Sequence, residues 1–358
     1  AAKEASFMGN SVIVGSSEDK NFNYIPKNLS LDSNLDYLHV TSNNTIFGTQ
    51  IKEFYKGNIP LACDMSSDIF SRKIDVSDFD LIYAGAQKNM GPAGTTLYIF
   101  NKKILGNSSV PIPTMLDLKT HFDKDSMFNT PPVFAVYASM LTLEWLKNNG
   151  GLDLIEKQNS KKANLLYNEI DRSSLFKGTA NLEDRSTMNV TFTLEKEDLN
   201  EHFNNMLANA NINGLKGHRS VGGFRASMYN ALPIESVEVL VEIMRNLEIK
   251  KQIEEIKKVK KKKLLVGAAV GAGPNELERA KQILKEGINL IVVDTAHGHT
   301  KKVSEIIKYI KRIKNKKIAL CAGNIATPEA AKFLIKLGVD IIKVGIGPGS
   351  ICTTRLVA

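Results

Sequence analysis

A single lysine, Lys88, lies in a loop of small residues at positions 84–94. No second cationic side chain occurs within ten residues on either side. Gly and Ala let the backbone and a ligand approach closely, so a lysine held in such a loop loses water. Desolvation disfavours the ammonium form, lowers the pKa and makes the amine a nucleophile toward carbonyl carbons. The alternative interpretation is a solvated lysine in an ordinary surface loop.

A carboxylate lies upstream of this lysine. Asp64 ends the apolar run 61–63 and is followed by Ser66 and Ser67. An aspartate at the end of a strand, followed by a lysine, is the pair that pyridoxal phosphate requires. The carboxylate keeps the pyridine nitrogen protonated, and the lysine holds the aldehyde. The two residues together therefore indicate a pyridoxal phosphate site.

A third group of polar residues lies in the glycine-containing segment 214–228. It places His218, Arg219 and Arg225 within eight residues of one another. Arginine grips carboxylates and phosphates through two parallel hydrogen bonds, so this segment is a candidate anion site. A charged hairpin without a ligand is the alternative.

These residues need a sheet to position them. Segments 12–14, 37–40, 61–64, 79–83, 95–100 and 188–194 have the apolar or alternating composition of strands. Helical patterns cover 134–147, 152–169 and 237–247. The pair of glycines at 150–151 ends the first of these helices. We therefore expect a large domain at 1–149 and a small domain at 150–248.

Residues 249–358 differ from residues 1–248 in their balance of charged side chains. Residues 1–248 contain 24 Lys and Arg against 29 Asp and Glu, whereas residues 249–358 contain 23 against 9. Residues 249–263 are rich in lysine without Gly or Pro, which predicts an exposed helix that serves as a linker. The lysines are spread over helix faces without interleaved aromatic residues, which disfavours nucleic-acid binding.

Residues 264–358 alternate between strands and helices. The strands are expected at 264–270, 290–294, 318–324 and 341–345, and the helices at 275–286, 302–313 and 328–337. Four strands and three helices in alternation correspond to half of a (β/α)8 barrel. Asp294, Asn324 and the loop 345–355 follow three of these strands, at the ends where barrel enzymes keep their chemistry.

Composition sets broader limits. With 358 residues, 43% hydrophobic and 24% charged, the chain has room for two or three globular domains. It contains no apolar run long enough to span a membrane and no signal-peptide pattern. Its cysteines (Cys63, Cys321 and Cys352) are widely spaced, which is typical of a reduced, cytoplasmic protein.

Five sequence segments resemble the phosphoserine aminotransferase family, whose members are fold-type I pyridoxal phosphate enzymes. The matching segments are 39–48 (HVTSNNTIFG), 64–67 (DMSS), 83–94 (YAGAQKNMGPAG), 126–132 (SMFNTPP) and 217–227 (GHRSVGGFRAS). The resemblance implies amino transfer between glutamate and 3-phosphohydroxypyruvate in serine biosynthesis, carried out by a homodimer. It also implies that the N-terminal third of the family's chain, with its phosphate-binding loop, is missing.

The same resemblance implies a role for each matching residue. Lys88 would form the Schiff base and Asp64 would pair with the ring nitrogen. Thr45 and Gln87 would contact the cofactor, and Arg225 the substrate α-carboxylate. Four further residues would act across the dimer interface, two on the cofactor phosphate and two on the substrate phosphate: Asn129 and Thr130, and His218 and Arg219.

A second resemblance covers residues 264–358. Segments 293–299 (VDTAHGH), 322–327 (AGNIAT) and 345–355 (GIGPGSICTTR) resemble inosine monophosphate (IMP) dehydrogenase. Cys352 would be the nucleophile and Ser350 a phosphate ligand. Asp294 would bind the NAD ribose, and Asn324 would lie beside the reacting centre. Carbonyls of Gly347, Gly349 and Cys352 would hold K⁺. Guanosine monophosphate reductase shares the cysteine loop, although segment 293–299 favours the dehydrogenase.

Three hypotheses for function follow. The first is phosphoserine aminotransferase activity. The second is NAD-dependent oxidation of IMP by the C-terminal part. The third is an inactive fusion of two gene fragments.

Overall fold

The computed structural model describes residues 1–108, 110–219 and 221–345. The chain divides into two compact units, Ala1–Met244 and Arg245–Ala358. The α-helices are α1 (Ala2–Ala5), α2 (Leu118–Asp123), α3 (Val133–Asn148), α4 (Gly151–Arg172), α5 (Asn200–Asn209), α6 (Ile234–Lys261), α7 (Pro274–Lys285), α8 (Lys301–Ile313) and α9 (Pro328–Leu337). Short 3-10 helices occur at Glu18–Lys20, Val76–Asp78, Lys102–Ile104, Thr114–Leu116, Leu182–Asp184 and Glu197–Leu199.

The strands form four sheets. In the first unit they are β1 (Leu38–Thr41), β2 (Asn43–Asn44), β3 (Thr49–Gln50), β4 (Leu61–Asp64), β5 (Leu81–Gly85), β6 (Thr96–Phe100), β7 (Phe176–Gly178), β8 (Asn189–Leu194) and β9 (Phe224–Ser227). In the second unit they are β10 (Gly267–Val270), β11 (Leu290–Asp294), β12 (Ala319–Ile325) and β13 (Ile341–Val344).

The sheet β1-β4-β5-β6 carries the lysine loop. Strands β1, β4 and β5 are parallel, and β6 runs antiparallel to β5. Parallel strands are buried on both faces and read as nearly continuous apolar runs; Leu61, Cys63 and Ile82 are each at most 2% exposed. Asp64 stands at the carboxyl end of β4, opposite Thr41 and Tyr83 on the neighbouring strands.

The antiparallel sheet β7-β8-β9 carries Arg225. Its buried face is a cluster of phenylalanine rings with centroids 5.0–5.8 Å apart, a spacing typical of aromatic pairs in protein cores. The rings belong to Phe176, Phe192, Phe203 and Phe224. This cluster fixes β9, and therefore Arg225, against the rest of the first unit.

The strand expected at 12–14 does not form. Val12 and Ile13 are 58% and 73% exposed, so they have no buried surface against which an extended segment could pack. The structure describes residues 7–36 as irregular apart from the short helix Glu18–Lys20.

The predicted large and small domains both lie within the first compact unit, Ala1–Met244, and the boundary between them at 149/150 stays a prediction. Buried asparagines connect the two parts across the predicted boundary. Asn43 Nδ2 donates to Asn189 Oδ1 at 2.9 Å, and Asn159 Nδ2 donates to the Ser71 carbonyl at 3.2 Å.

The second unit contains the parallel sheet β10-β11-β12-β13, whose strands are neighbours in chain order. Helices α7, α8 and α9 connect these strands and supply one side of the core, including Ile283, Ile307 and Leu334 at 0% exposure. On the opposite face, Ala269 is exposed and Ile341 is 47% exposed.

The exposed helix expected at 249–263 forms through Lys261 as part of α6, but it is not exposed on all sides. Ile256 is 4% exposed and belongs to the core of the second unit. Gln252 Nε2 donates to the Ala269 carbonyl at 3.3 Å. The segment is therefore amphipathic. Its high lysine content makes this apolar side difficult to recognise in the sequence.

Among the helices in the described part of the chain, none combines the length and the apolar composition needed to cross a membrane.

Candidate active site

Lys88 lies in a tight turn that directly follows β5. The Ala86 carbonyl accepts hydrogen bonds from the N–H groups of Lys88, at 2.6 Å, and Gly91, at 2.8 Å. Gly91 has φ +153°, and a Cβ there would meet Ser139 of α3 at 2.7 Å. The turn therefore requires glycine at this position, and it holds the Lys88 side chain half-buried.

The surroundings of Lys88 lower the pKa of its amine. Burial is the main cause, and the positive charge of Arg225 lowers the pKa further, while Asp64 and Asp68 raise it. These electrostatic contributions place Asp64 and Arg225 within interaction range of Lys88. A lysine with a lowered pKa is more often neutral, and hence nucleophilic, than a solvated one.

Asp64 is oriented by its backbone neighbours. Its Oδ1 accepts the Ser66 N–H at 2.8 Å, and Ser66 Oγ accepts the Gly85 N–H at 3.1 Å. These two bonds connect the carboxyl end of β4 to the end of β5, immediately before the lysine turn. The carboxylate is thereby fixed at the end of β4, next to the strand that leads into the lysine turn.

Tyr83 and His39 lie on the two strands that flank β4, and no role was predicted for either residue. Tyr83 is the β5 residue opposite Asp64, and its hydroxyl lies 2.9 Å from His39 Nε2. Burial raises the pKa of Tyr83 to about 12, with Asp64 contributing, and burial lowers the pKa of His39. Tyr83 is directly opposite Asp64 in the β4–β5 register, so aligning these two strands would have identified it.

Arg225 reaches the site from β9. Its Nη1 donates to the Thr45 carbonyl at 3.1 Å, which ties the turn between β2 and β3 to the arginine. Arg225 Nε is buried and has no hydrogen-bond partner among the described residues. A buried donor without a partner is unfavourable, so this nitrogen is available to an anionic ligand.

The other predicted aminotransferase residues lie in more exposed positions. Gln87 is exposed, and its side-chain amide lies over Gly85, where a Cβ would collide with it. Asn129 and Thr130 are exposed, and Asn129 Nδ2 donates to the Thr130 carbonyl at 3.3 Å. His218 is partly buried and Arg219 exposed. The structure thus brings Lys88, Asp64, Thr45 and Arg225 together and leaves the residues expected at a dimer interface toward the surface.

In the second unit, Asp294 is exposed at the end of β11. Lys343 Nζ donates to its Oδ1 at 2.8 Å, and the side chains are 44% and 43% exposed. Asn324 Oδ1, at the end of β12, is buried without a partner in the described part of the chain. The loops after these strands are bound together, because Gly298 N–H donates to the Asn324 carbonyl at 2.7 Å.

The remaining nucleotide-site predictions lie outside the described residues: Gly347, Gly349, Ser350 and Cys352. Within residues 1–108, 110–219 and 221–345, no three His, Cys, Asp or Glu side chains gather where they could hold a metal ion.

The donor set around Lys88 fits pyridoxal phosphate. It combines an amine of lowered pKa, a carboxylate within electrostatic range and an arginine with a buried, unpartnered donor. These are the groups needed for the cofactor aldehyde, the ring nitrogen and a substrate carboxylate.

Comparison with known proteins gives two families. The chain is 63% identical over 250 residues to a phosphoserine aminotransferase of Flavobacterium psychrophilum, covering 70% of each chain. The solved phosphoserine aminotransferase of Bacillus circulans subsp. alkalophilus is 44% identical, with a TM-score of 0.68 and 70% of each chain covered. A pyridoxal-phosphate-bound enzyme of the same name from Trichomonas vaginalis is 36% identical, with a TM-score of 0.58; 61% of this chain and 62% of that chain are covered. These likenesses show a fold-type I pyridoxal-phosphate-dependent transferase.

The family model of the IMP dehydrogenase / GMP reductase domain matches residues 107–358. This range and the 250 residues shared with the aminotransferases are together longer than the chain, so they overlap. The antiparallel sheet β7-β8-β9 falls inside the range and does not follow a parallel βα pattern, whereas β10–β13 do. The chain is therefore a member of the phosphoserine aminotransferase family that also belongs, through its C-terminal part, to the IMP dehydrogenase / GMP reductase family.

Proposed function

We propose that this chain is a pyridoxal-phosphate-dependent aminotransferase that moves an amino group between glutamate and 3-phosphohydroxypyruvate, the phosphoserine-forming step of serine biosynthesis. One observation carries the proposal. The half-buried Lys88 follows β5, next to the strand that ends at Asp64, and Ser66 joins the ends of the two strands. The charges of Asp64 and Arg225 both act on the Lys88 amine, whose pKa burial lowers. The names of the similar proteins support the choice of substrates.

Each residue has a distinct task in this proposal. Lys88 would hold the cofactor aldehyde, and Asp64, oriented by Ser66 N–H, would keep the ring nitrogen protonated. Thr45 and Gln87 would hold the ring. When bound, pyridoxal phosphate supplies the electron sink for bond changes at the substrate α-carbon.

Substrate binding falls to the arginine on β9. Arg225 would bind the α-carboxylate through its buried Nε and an adjacent Nη, because a guanidinium and a carboxylate match in two parallel hydrogen bonds. With its lowered pKa, the Lys88 amine is suited to take the α-proton and return it. We place Asn129, Thr130, His218 and Arg219 at the neighbouring subunit's site in a homodimer, in keeping with the exposure of three of these side chains.

The test is covalent attachment of the cofactor. Addition of pyridoxal phosphate should produce a visible absorption band, and borohydride should fix the cofactor on Lys88, which peptide mass spectrometry identifies. Lys88→Ala should abolish both results. The exposed Lys161 offers a matched control, because Lys161→Ala should leave band and attachment unchanged. A band that persists in Lys88→Ala, or attachment elsewhere in the wild-type chain, would contradict the assignment.

A second candidate function rests on the C-terminal unit. Asp294 and Asn324 lie at the carboxyl ends of adjacent parallel strands, where βα proteins bind ligands, and residues 107–358 match the family model. We propose that β10–β13 correspond to half of a (β/α)8 barrel whose more exposed face corresponds to the barrel interior. Oxidation of IMP with NAD would then use Cys352 as nucleophile, Ser350 on the phosphate, and K⁺ held by carbonyls of Gly347, Gly349 and Cys352.

Thiol labelling tests this second candidate. Burial raises the pKa of Cys63 to about 12 and also raises that of Cys321, so both should label slowly and serve as internal references. IMP should protect Cys352 without changing the labelling of the other two cysteines. Equal labelling of Cys352 with and without IMP would count against a nucleotide site. If cofactor attachment to Lys88 also failed, the hypothesis of an inactive fusion would remain.

A further inference from the structure

Asn89, the residue after Lys88, is buried with hydrogen bonds at both ends of its side chain. It is 5% exposed. Its Nδ2 lies 3.2 Å from the Ile69 carbonyl oxygen and 3.5 Å from the Ser67 carbonyl oxygen, with Met188 Sδ at 3.6 Å. Its Oδ1 accepts the Asn230 N–H at 3.0 Å. Both polar atoms of the amide are therefore occupied.

The partners of Asn89 belong to the segments that carry the other two charged groups of the site. Ser67 and Ile69 lie in the segment that begins at Asp64. Asn230 closely follows β9, which holds Arg225. Lys88 itself is joined to Asn89 by a peptide bond. One side chain thus connects three segments that are far apart in the sequence.

The shape and chemistry of an asparagine suit this position. A single planar group supplies two N–H donors and one acceptor, and the contacts above use both kinds of atom. Serine is too short to reach both sides, while aspartate keeps the acceptor and loses the donors. Glutamine would have to place an additional methylene in a close-packed interior.

A second buried asparagine lies in the same network without contacting the lysine turn. Asn159, on α4, is 1% exposed. Its Nδ2 donates to the Ser71 carbonyl at 3.2 Å and to Asn230 Oδ1 at 2.9 Å. It resembles Asn89 in burial and in partners but is remote in sequence from Lys88, which makes it a matched control.

We propose that Asn89 is a positioning residue that sets the Lys88 amine in place relative to Asp64 and Arg225. The inference rests on the proposed aminotransferase function, and it adds a residue that touches neither cofactor nor substrate. Asn89 acts by holding the backbone on the carboxyl side of Lys88 against the segments that begin at Asp64 and end at Asn230. Loss of the side chain should let the turn relax into water.

The first experiment measures the pKa of Lys88 without any cofactor. Reductive methylation with formaldehyde and borohydride, followed across pH by mass spectrometry, reports the neutral fraction of the Lys88 amine. In the wild-type chain the midpoint should lie below the ordinary lysine value of 10.5. In Asn89→Ser it should move up toward that value, because the amine becomes better solvated. In Asn159→Ser it should stay at the wild-type midpoint, although both variants should lose stability.

The second experiment measures the rate of pyridoxal phosphate attachment to Lys88, trapped with borohydride. Displacement of a reacting group by about 1 Å can cost about 100-fold in rate, so Asn89→Ser should attach about 10- to 100-fold more slowly. Asn159→Ser should remain within about twofold of wild type on the same reasoning. Asn89→Asp provides a variant of the same shape in case the serine variant fails to fold, and its rate should also fall.

The two experiments separate the two proposals. Wild-type chain that attaches no cofactor to Lys88, with the midpoint shift confined to Asn89 variants, would overturn the aminotransferase function and leave the positioning role intact. Normal attachment in wild type, with Asn89 and Asn159 variants equal in midpoint and rate, would overturn the positioning role alone.

Discussion

The charged groups of the candidate sites in the two units differ in their exposure to solvent. In the first unit, Lys88 is half-buried with a lowered pKa, and Asp64 Oδ1 accepts a hydrogen bond from Ser66 N–H. In the second unit, Asp294 and Lys343 are 43% and 44% exposed and pair with each other. Removal from water changes the reactivity of an amine, whereas an exposed ion pair exchanges readily with solvent and ligands. The candidate site of the first unit therefore has the more reactive amine, because its lysine is partly shielded from water.

The largest effect that would test this contrast is expected from Asp64→Asn. The variant keeps the shape of the side chain but removes the charge that, in the proposed function, would hold the ring nitrogen protonated. Attachment of pyridoxal phosphate to Lys88 should persist, while amino transfer from glutamate should fall by about 100- to 1000-fold, as for the loss of other preorganised electrostatic groups. The absorption band measures attachment, and a glutamate-dependent assay measures transfer.

Asp80→Asn is the matched control for this variant. The Asp80 carboxylate accepts the Leu61 N–H at 3.0 Å, at the amino end of β4 and thus at the opposite end of the strand from Asp64. It should leave the rate of transfer nearly unchanged. Near-normal transfer in Asp64→Asn would show that this carboxylate is not the partner of the ring nitrogen.

Lys162 is a second buried lysine, and it shows whether burial alone is enough to make a lysine reactive. It is 2% exposed, and burial lowers its pKa to about 8. Its Nζ donates to the carbonyls of Met228, Tyr229 and Leu232 at 2.9–3.2 Å. All three donors of the ammonium are therefore used by the main chain, and we expect Lys162 to be structural.

The expected pH dependence follows from that pKa. The folded value of about 8 lies below the ordinary 10.5, so the unfolded chain binds more protons between these values and stability rises with pH in this window. The urea midpoint of the wild-type chain should therefore rise from pH 8 to 10.5 relative to that of Lys162→Met. Lys161→Met, at an exposed neighbouring position, should track wild type. A constant difference between wild type and Lys162→Met would show that Lys162 does not titrate there.

The smallest effect is expected in the second unit. Lys343→Met removes the exposed pair with Asp294, and exposed pairs contribute about 0–1 kcal/mol. The free energy of unfolding should therefore change by no more than about 1 kcal/mol, and raising the salt concentration should reduce the difference further. A loss of several kcal/mol in urea unfolding would mean that the second unit depends on this pair.

Patterns local in sequence predicted much of the fold. The strands beside Lys88, the helix Pro328–Leu337 and the alternation of strands and helices after residue 264 all follow from short-range periodicity. Periodicity misled at 12–14, because Val12 and Ile13 are apolar and yet have no core to join. It also gave no indication that Ile256 would be buried in a lysine-rich helix.

The candidate site shows the same limit. Lys88 and Asp64 could be proposed from residue type and order, whereas residue type predicted only an anion site for Arg225 and the family resemblance implied its role. The residues around them could not be identified in this way, since no local sequence pattern distinguishes Tyr83, His39 and Asn89 from structural residues. Their roles depend on strand register and on contacts such as the one between Asn89 and Asn230, which are 141 residues apart.

The distance between those two asparagines also sets an order of events during synthesis. The Asn89–Asn230 bond cannot form until residue 230 has been added to the chain. At about 5–20 residues per second, that interval lasts roughly seven to thirty seconds after Lys88 is made. The bond from Arg225 to Thr45 spans 180 residues and likewise has to wait until residue 225 has been added. The lysine turn is therefore completed late, by partners that the ribosome delivers near the end of the first unit.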